Sequence, residues 1–380
     1  MPNVASQIAE RVRDAAARGE RLRISGAGTW LDAGRPVDAD ATLSVADHAG
    51  IVDYVPGDLT LTALPGTPLD TIARATATER QLLAADPFGD PRGTLGATVA
   101  TASAGPLAHA FGTPRDNVIG VQLVDGAGHV VRAGGRVVKN VAGFDITRLV
   151  TGAWGTLGVL TEISVRLRPA PERDLTVAVP MPNGAALAPW LGRLRAAPLT
   201  AWALELVNGP LAEALGLGRR ALLLARLAGN EPLVQAQRRA LQSLGDVAEA
   251  PGDVWARLGA IEPATAAVAR VSARPSRLAS LCVVPFSAAA AAVGLLAHAS
   301  VARGIVRFIL PGDSGFGLPD FPPGDDRPTL VVERLPPALW RSHGERLAPA
   351  RTPDRLTLGV RRAFDPHGIL NPGILAPDHR

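Results

Sequence analysis

Three glycine-rich clusters within residues 92–168 carry the residue types best suited to hold a ligand. They occupy residues 93–106, 139–145 and 155–163, and the first and third share the tetrapeptide Gly-Thr-Leu-Gly. Glycine lets the backbone reach positive φ angles and approach a ligand closely, and successive N–H groups in such turns bind anions such as phosphates. Three such turns indicate a long ligand with a pyrophosphate that passes between loops. Ordinary tight turns in a β-rich domain are the alternative interpretation.

The second cluster contains Lys139, the only lysine among the 39 basic residues of the chain. An ammonium group is compact, whereas the guanidinium group of arginine is a rigid planar fork. A lysine inside a polar glycine loop therefore indicates a position that arginine does not fit. Chance retention of one lysine on the surface is the alternative.

The composition excludes several kinds of site. Cys282 is the only cysteine, which excludes an intrachain disulfide, a thiolate zinc site and a self-contained four-cysteine iron–sulfur cluster. The net charge is +4, and the arginines are interleaved with acidic residues without a long basic run. No nucleic-acid-binding arm is therefore predicted.

Two stretches bear on the localisation of the protein. The first residues lead directly into a charged amphipathic segment, which is unlike a signal peptide. The charge-free run at 278–302 is alanine-rich and contains proline, serine and histidine. A strand at 280–284 followed by a helix at 287–302 explains this run better than a membrane span. We therefore expect a soluble, cytoplasmic protein without a transmembrane segment.

The elements that must position the clusters follow from periodicity and turn residues. Leu31 stands where the dinucleotide-binding motif G-x-G-x-x-G has its third glycine, and no helix pattern follows it, which argues against a Rossmann NAD site. The predicted elements are a helix at 4–18, a strand at 21–25 that enters a glycine turn at 26–30, hairpins at 51–63 and 118–133, a helix at 68–81 capped by Thr67, a helix at 145–151 and a strand at 158–168.

A domain boundary is predicted at Pro169-Ala170-Pro171, after which strand and helix patterns recur. Residues 311–327 are rich in proline and glycine and form either a lid or a surface connection. Two turns close to the C-terminus suggest a tail that is tied back onto the protein. Beyond the boundary, the predicted strands are 174–180, 201–207, 220–228, 268–273, 280–284, 305–310 and 328–334, and the helices are 185–196, 231–244, 253–261, 287–302 and 354–364.

A set of motifs in the chain points to one family. They are residues 58–63, 66–69, 93–96, 103–106, 115–116, 139–145 and 155–160, together with 364–366 and 370–373. These motifs resemble the FAD-binding flavoproteins of the vanillyl-alcohol oxidase type, also called the PCMH-type or FAD_binding_4 family. Within that family, they are most similar to the FAD-binding E subunits of bacterial glycolate oxidase (glycolate dehydrogenase). The block Lys-Asn-Val-Ala-Gly at 139–143 is the most diagnostic of them.

The resemblance implies an α+β architecture with three parts. Residues 1–170 would form a PCMH-type FAD-binding domain of two subdomains. Residues 171–350 would form an α+β cap domain that contacts substrate or a partner. Residues 351–380 would form a C-terminal helix and tail that pack back on the FAD-binding domain and return to the flavin side.

The resemblance also implies that FAD lies between the two subdomains. The first loop would wrap the pyrophosphate, the cluster at 93–106 would continue towards the flavin ring, and the strand at 158–168 would line the adenine or ribose. A side chain at Gly96 would then occupy the path of the flavin. The implied FAD-binding residues are Gly26, Ala27, Gly28, Thr29, Trp30, Gly93, Thr94, Gly96, Ala97, Ala100, Thr101, Ser103, Gly158, Val159, Ile163 and Asn371.

The chain departs from the family at several positions. The first loop has no histidine, through which many members bind FAD covalently, so non-covalent FAD is expected. The metal-binding motif of relatives that oxidise 2-hydroxy acids is missing, and His298 and His343 are isolated, so no metal is expected. A carboxylate substrate requires a cation near the flavin. The candidate catalytic residues for this role are Arg115, Arg136 and Lys139.

The implied function is that of an FAD-binding subunit of a glycolate-oxidising complex, which either oxidises a 2-hydroxy acid itself or relays electrons. Its partners would be a second, catalytic flavoprotein and an iron–sulfur subunit, because this chain lacks cluster cysteines. Through these partners the protein would be peripheral to the inner membrane. A stand-alone FAD-dependent alcohol or sugar oxidoreductase and a flavin-free assembly subunit are the alternatives.

Overall fold

The computed structural model describes residues 4–135, 145–263, 265–310, 328–347 and 354–375. These residues form two compact units, each of which takes up separate stretches of the chain. The first unit comprises Met1–Ala104, Gly112–Ala170 and Pro349–Arg380, and the second comprises Gly105–Phe111 and Pro171–Ala348. The chain therefore enters the second unit twice, and its C-terminal segment belongs to the first unit.

The helices and strands have the following bounds. The helices are α1 (Val4–Arg18), α2 (Leu69–Ala77), α3 (Leu95–Thr101), α4 (Ala108–Phe111), α5 (Pro114–Asn117), α6 (Ile146–Val150), α7 (Leu187–Ala196), α8 (Gly209–Ala214), α9 (Glu231–Gln242), α10 (Val254–Gly259), α11 (Leu278–Cys282), α12 (Ala288–Ala292), α13 (Pro337–Leu347) and α14 (Arg355–Phe364). The strands are β1 (Leu22–Ser25), β2 (Ala41–Ser44), β3 (Ile51–Val55), β4 (Thr60–Ala63), β5 (Gln81–Leu82), β6 (Val118–Val124), β7 (Val130–Gly134), β8 (Val159–Arg166), β9 (Arg168–Pro169), β10 (Arg173–Pro180), β11 (Ala203–Val207), β12 (Leu222–Gly229), β13 (Ala248–Glu249), β14 (Ala267–Ser272), β15 (Leu296–Ser300), β16 (Ile305–Leu310) and β17 (Thr329–Arg334).

The main sheet of the first unit is antiparallel, with the strand order β3-β4-β8-β6-β7. The two hairpins predicted from the sequence supply four of these strands, with Tyr54 opposite Leu61 and Leu123 opposite Val131. The fifth strand, β8, pairs with both β4 and β6 and so joins the hairpins. Buried side chains of this sheet pack with α2 and α3 in one core.

A second core of the first unit forms around α1 and the short parallel sheet of β1 and β2. Ile8 and Val12 lie one helical turn apart on the buried face of α1. They pack in one cluster with Leu22 of β1 and Leu370 of the C-terminal tail. Leu22 also donates a backbone hydrogen bond of 2.7 Å to the carbonyl of Ile369. The tail is therefore tied back onto the first unit, as the sequence predicts.

The second unit is built on an eight-stranded antiparallel sheet with the order β13-β10-β12-β11-β15-β16-β14-β17. One face of this sheet packs against α7, α9 and α11 and forms the largest core. Trp190 and Phe308 lie in that core with 2% and 1% of their surface exposed. The Trp190 indole N–H donates to the carbonyl of Leu244 at 3.1 Å, so its polar atom is satisfied although the ring is buried.

Charged side chains are buried elsewhere in the second unit, and they are paired. Arg307 is bound by Glu262 and, at 2.6 Å, by Glu333. Burial alone would raise the pKa of Glu333, but the charges of Arg307 and Arg270 outweigh the effect of burial. The pKa of Glu333 therefore lies below its usual value. On neighbouring strands, His298 and Glu205 are hydrogen-bonded at 2.9 Å.

The sequence prediction is wrong for part of residues 278–302. The pattern predicts a strand at 280–284 and a helix at 287–302, whereas the structure has α11, α12 and then β15. The alanines of β15, Ala297 and Ala299, are fully buried in the middle of the large sheet. Small side chains fit this position, and burial in the sheet outweighs the helix propensity of alanine. None of the helices within the described ranges is long and apolar enough to cross a membrane.

The predicted cap of the helix at 68–81 is also wrong. The helix α2 ends at Ala77, and Pro68 rather than Thr67 precedes its first residue. The hydroxyl of Thr67 instead donates to the carbonyl of Leu64 at 2.7 Å, and it accepts the N–H of Gly50 at 2.9 Å. Thr67 therefore fastens the loop before α2 and does not cap the helix.

Candidate functional site

A cleft of about 950 Å³, its open mouth included, lies within the first unit. The cleft is lined by Arg23, Ile24, Ser25, Gly26, Ala27, Gly28, Thr29, Trp30, Leu31, Val45, Pro65, Gly96, Ala97, Ala100, Thr101, Leu123, Val150, Ala153, Trp154, Gly155, Leu157, Gly158, Leu160, Asn371 and Ile374.

One wall of the cleft is the first glycine turn, residues 26–31, which follows β1 directly. Gly28 has a φ of +75°, a conformation that favours glycine. A Cβ atom at Gly26 would lie 2.7 Å from the hydroxyl oxygen of Thr94. Gly26 therefore lets the turn lie close to the start of α3.

A second wall is α3, whose small side chains face the cleft. The Thr94 hydroxyl accepts the N–H of Ala97 at 3.3 Å and so caps the helix. Ala97, Ala100 and Thr101 then line the cleft from successive turns of the helix. Their small size keeps this wall of the cleft close to the helix backbone.

Gly96 has a packing role as well as a place in the lining of the cleft. A Cβ atom there would lie 2.7 Å from the carbonyl oxygen and 2.8 Å from the Cβ atom of Pro65. The missing side chain therefore allows α3 to pack against the loop that contains Pro65. The expectation that a side chain there would occupy the flavin's path stays a prediction.

The third wall is the third glycine turn, residues 152–158. Gly152, Gly155 and Gly158 all have positive φ, and so does Trp154, at +54°. A Cβ atom at Gly158 would lie 2.3 Å from the Cδ1 atom of Leu123 and 2.8 Å from the carbonyl oxygen of Val124. Glycine is therefore required where this turn enters β8.

The C-terminal tail closes one side of the cleft through Asn371. The Asn371 amide accepts the N–H of Ile24 at 2.8 Å and donates to the carbonyl of Trp154 at 2.7 Å. One side chain thus joins β1, the third glycine turn and the tail. Asn371 is 4% exposed, so both bonds are shielded from water.

The lining is otherwise largely apolar. Leu123, Val150, Leu157 and Leu160 form its deeper part, with between 0% and 8% of their surface exposed. Trp30 and Trp154 also line the cleft, with ring centres 6.3 Å apart and ring planes 47° apart. The combination of glycine turns, an apolar interior and two indoles suits a long ligand with flat aromatic rings and an anionic middle.

The structure separates the sequence-predicted binding residues into two groups. Those that line the cleft are Gly26, Ala27, Gly28, Thr29, Trp30, Gly96, Ala97, Ala100, Thr101, Gly158 and Asn371; Gly93, Thr94, Ser103, Val159 and Ile163 do not line it. The side chains of Val159 and Ile163 lie in the hydrophobic cores. The sequence reasoning missed several lining residues, notably Arg23, Pro65, Trp154 and Ile374.

Of the three candidate catalytic residues, only Arg115 lies in the described part of the chain. Arg115 donates to the carbonyl of Thr151 at 3.4 Å and is not a lining residue. Arg136 and Lys139, with the rest of the cluster at 139–144, lie outside the described residues, and so do the loop at 311–327 and the side chain of His343. Within the described part of the chain, no group of three His, Cys, Asp or Glu residues is placed to hold a metal.

Residues 1–134 match the family model FAD_binding_4, an FAD binding domain. This match concerns the N-terminal part of the chain. The matched range contains the first glycine turn and α3, which form two walls of the cleft. FAD is thus the cofactor of this protein, as the resemblance implies.

Curated relatives match parts of the chain. Glycolate oxidase subunit GlcE of Escherichia coli (strain K12) is 35% identical over 172 residues, which are 45% of this chain and 49% of that protein. Glycolate oxidase subunit GlcD of Bacillus subtilis (strain 168) is 40% identical over 70 residues, 18% of this chain and 15% of that protein. The chain thus spans about half or less of the length of these relatives.

Solved structures share the fold over nearly the whole chain. p-Cresol methylhydroxylase with substrate bound has a TM-score of 0.73 at 16% identity, and the match covers 99% of this chain and 88% of the methylhydroxylase chain. 4-Ethylphenol oxidase from Gulosibacter chungangensis has a TM-score of 0.64 at 16% identity, and the match covers 99% of this chain and 89% of the oxidase chain. The predicted α+β flavoprotein fold is confirmed by these likenesses, which concern the fold alone.

Proposed function

We propose that this chain is the FAD-binding subunit of a complex that oxidises glycolate or a similar 2-hydroxy acid. The observation that carries the proposal is the cleft of the first unit, with two glycine turns and α3 around an apolar interior. The 35% identity to glycolate oxidase subunit GlcE supports the choice of substrate class. Part of the lining of the cleft falls within residues 1–134, which match the FAD binding domain, so the family match and the cavity both support the proposal.

The lining residues fit FAD by shape and by chemistry. The first glycine turn and α3 would hold the pyrophosphate and the ribityl chain, because their backbone atoms are not screened by large side chains. The two indoles and the buried leucines would contact the flat rings. Among the described lining residues there is no histidine, cysteine or tyrosine, the side chains that could attach a flavin covalently. This supports non-covalent binding.

When bound, FAD supplies an acceptor for the two electrons that are removed from the substrate carbon. The chain's own residues orient the cofactor and exclude water from it. Leu123, Leu157 and Leu160 keep the inner end of the cleft dry, and a low dielectric there strengthens polar interactions with the ligand. Asn371 fixes the relative position of β1 and the third glycine turn.

The substrate's carboxylate requires a cation. Arg115 does not line the cleft, so Arg136 and Lys139, which lie outside the described residues, are the candidates that remain. The second unit would act as the cap domain that contacts substrate or a partner subunit. The chain either oxidises the substrate itself or relays electrons from a sibling flavoprotein. Its proposed partners are that flavoprotein and an iron–sulfur subunit, and association with them would place the protein in the cytoplasm at the inner membrane.

The discriminating experiment is anaerobic reduction of the flavin by substrate. The purified chain is mixed with glycolate, D-lactate or a simple alcohol, and the flavin absorbance is followed. Bleaching by a 2-hydroxy acid would assign oxidation to this chain. Bleaching by glycolate only after addition of the partner flavoprotein would assign electron relay. Bleaching by an unrelated alcohol alone would favour the stand-alone oxidoreductase and contradict the proposal.

A further inference from the structure

The cleft contains one charged side chain among its described lining residues, Arg23. Arg23 lies on β1, two residues before the strand ends at Ser25. Its guanidinium donates to the carbonyl of Leu31 at the far end of the first glycine turn. The arginine therefore joins β1 to the residue at the end of the turn, within the wall of the cleft that this turn forms.

The environment of Arg23 is unfavourable for an isolated cation. Partial burial lowers its pKa below the usual value, and the nearby charge of Asp32 only partly opposes this effect. Other surface arginines of the first unit are placed differently; Arg74, for example, is 74% exposed and pairs with Asp70 at 3.4 Å. A partly desolvated cation in a ligand cleft gains most from an anionic ligand.

From these observations we infer that Arg23 is the phosphate-recognising residue of the cleft and pairs with the pyrophosphate of FAD. The inference rests on the proposed function, since it assumes that FAD occupies this cleft. A pyrophosphate carries two negative charges that backbone N–H groups alone leave unneutralised. A guanidinium fork matches phosphate oxygens in a bidentate manner. Arg23 would thus make the site selective for phosphorylated flavins over riboflavin.

The test uses the full-length chain freed of flavin and the substitution Arg23→Gln. Glutamine keeps a polar side chain with N–H donors but removes the charge. Affinities for FAD, FMN and riboflavin are measured by flavin fluorescence. We expect the FAD affinity to fall about 10- to 100-fold, the loss of one charge-assisted hydrogen-bond pair. The FMN affinity should fall less, and the riboflavin affinity should stay within about twofold.

Two controls make the result decisive. Arg74→Gln removes an exposed arginine of the same unit and should change none of the three affinities. Arg23→Lys keeps the charge and should lose less FAD affinity than Arg23→Gln. Raising the salt concentration should weaken FAD binding more for the unaltered chain than for Arg23→Gln, because only the former uses the charge.

Two outcomes would overturn the inference while leaving FAD binding intact. Equal losses for FAD, FMN and riboflavin would show that Arg23 only closes the glycine turn. Unchanged affinity for all three flavins would show that the charge does not face the ligand. If the unaltered chain bound none of the flavins, the proposed function itself would fail.

Discussion

Asn371 and Trp154, 217 positions apart in sequence, are joined by a 2.7 Å hydrogen bond from the asparagine amide to the tryptophan carbonyl. Both residues have a positive φ, 45° for Asn371 and 54° for Trp154. Asparagine tolerates this left-handed region, whereas it is unusual for tryptophan. The C-terminal tail therefore holds a strained residue at the wall of the cleft, and strain of this kind often marks functional sites.

Substitution of Asn371 tests this connection. Asn371→Ala should lower the free energy of unfolding by about 2–3 kcal/mol, because the N–H of Ile24 and the carbonyl of Trp154 lose a shielded partner. FAD affinity should fall as well, since two walls of the cleft are no longer fixed to each other. Urea unfolding and flavin titration measure both effects. The control is Asn183→Ala, because Asn183 is exposed, and it should shift the free energy of unfolding by less than about 0.5 kcal/mol. Equal effects of the two substitutions would contradict this account.

Gly96→Ala should destabilise the flavin-free chain. Its methyl group would collide with Pro65, and overpacking of this kind costs about 1–3 kcal/mol. Gly192 is the matched control, because it lies exposed within α7 and a Cβ atom there meets nothing within 4 Å. Gly192→Ala should stabilise the chain by up to about 1 kcal/mol through helix propensity. Thermal unfolding without flavin measures both, and an unchanged Tm for Gly96→Ala would refute the packing role of this glycine.

The limits of the sequence prediction are clear at β8. The glycine-rich pattern located the third turn, and the alternation of the strand was recognised, but Val159 and Ile163 were assigned to the ligand with Gly158. Successive residues of a strand face opposite sides, so alternate residues face the same side. Because Gly158 faces the cleft, Leu160 does so too, whereas Val159 is buried in the core around α1. If this alternation is applied to the sequence from Gly158 onwards, Leu160 is predicted to line the cleft and Val159 is not.

Other features depended on tertiary contacts that no local pattern contains. Trp154 and Ile374 line the cleft because the tail returns to the third glycine turn, and the sequence predicted that return without its partners. Thr67 has the residue type of a helix cap but bonds to the preceding loop. The alanine-rich run at 278–302 was assigned by helix propensity, yet burial in the large sheet makes its last part a strand.

The stability of the second unit should depend on the buried ion pairs of Arg307. Arg307→Met leaves Glu262 and Glu333 buried without their main partner, which should cost about 3–5 kcal/mol. Arg219 pairs with Glu213 at 2.8 Å, but its side chain is 83% exposed, so Arg219→Met should cost less than about 1 kcal/mol. Denaturant unfolding of the two variants compares the buried pair with the exposed one. Equal losses of unfolding free energy in the two variants would show that burial does not make the Arg307 ion pairs more important for stability than an exposed pair.

The pH dependence of stability should reveal the buried thiol of Cys282. Burial raises the pKa of this thiol to about 12. Between the unfolded value of about 8.5 and pH 12, the folded chain keeps a proton that the unfolded chain releases. Stability must therefore fall as pH rises in this window, by at most about 1.4 kcal/mol per pH unit from this group.

The contribution of Cys282 is isolated by comparison with Cys282→Ala. The difference in unfolding free energy between the unaltered chain and Cys282→Ala should be constant from pH 6 to 8 and should shrink at pH 9 and 10. Urea unfolding at these four pH values provides the measurement. A difference that stays constant up to pH 10 would mean that the thiol titrates normally in the folded chain.

The visible spectrum of the purified chain, before and after acid precipitation, tests most directly whether the cleft holds FAD without a covalent bond. The account predicts a flavin absorption band in the native protein, in a ratio of about one flavin per chain. After precipitation the yellow colour should be in the supernatant and should be FAD rather than FMN. A colourless protein that takes up no added FAD, or a flavin that stays with the precipitate, would contradict it.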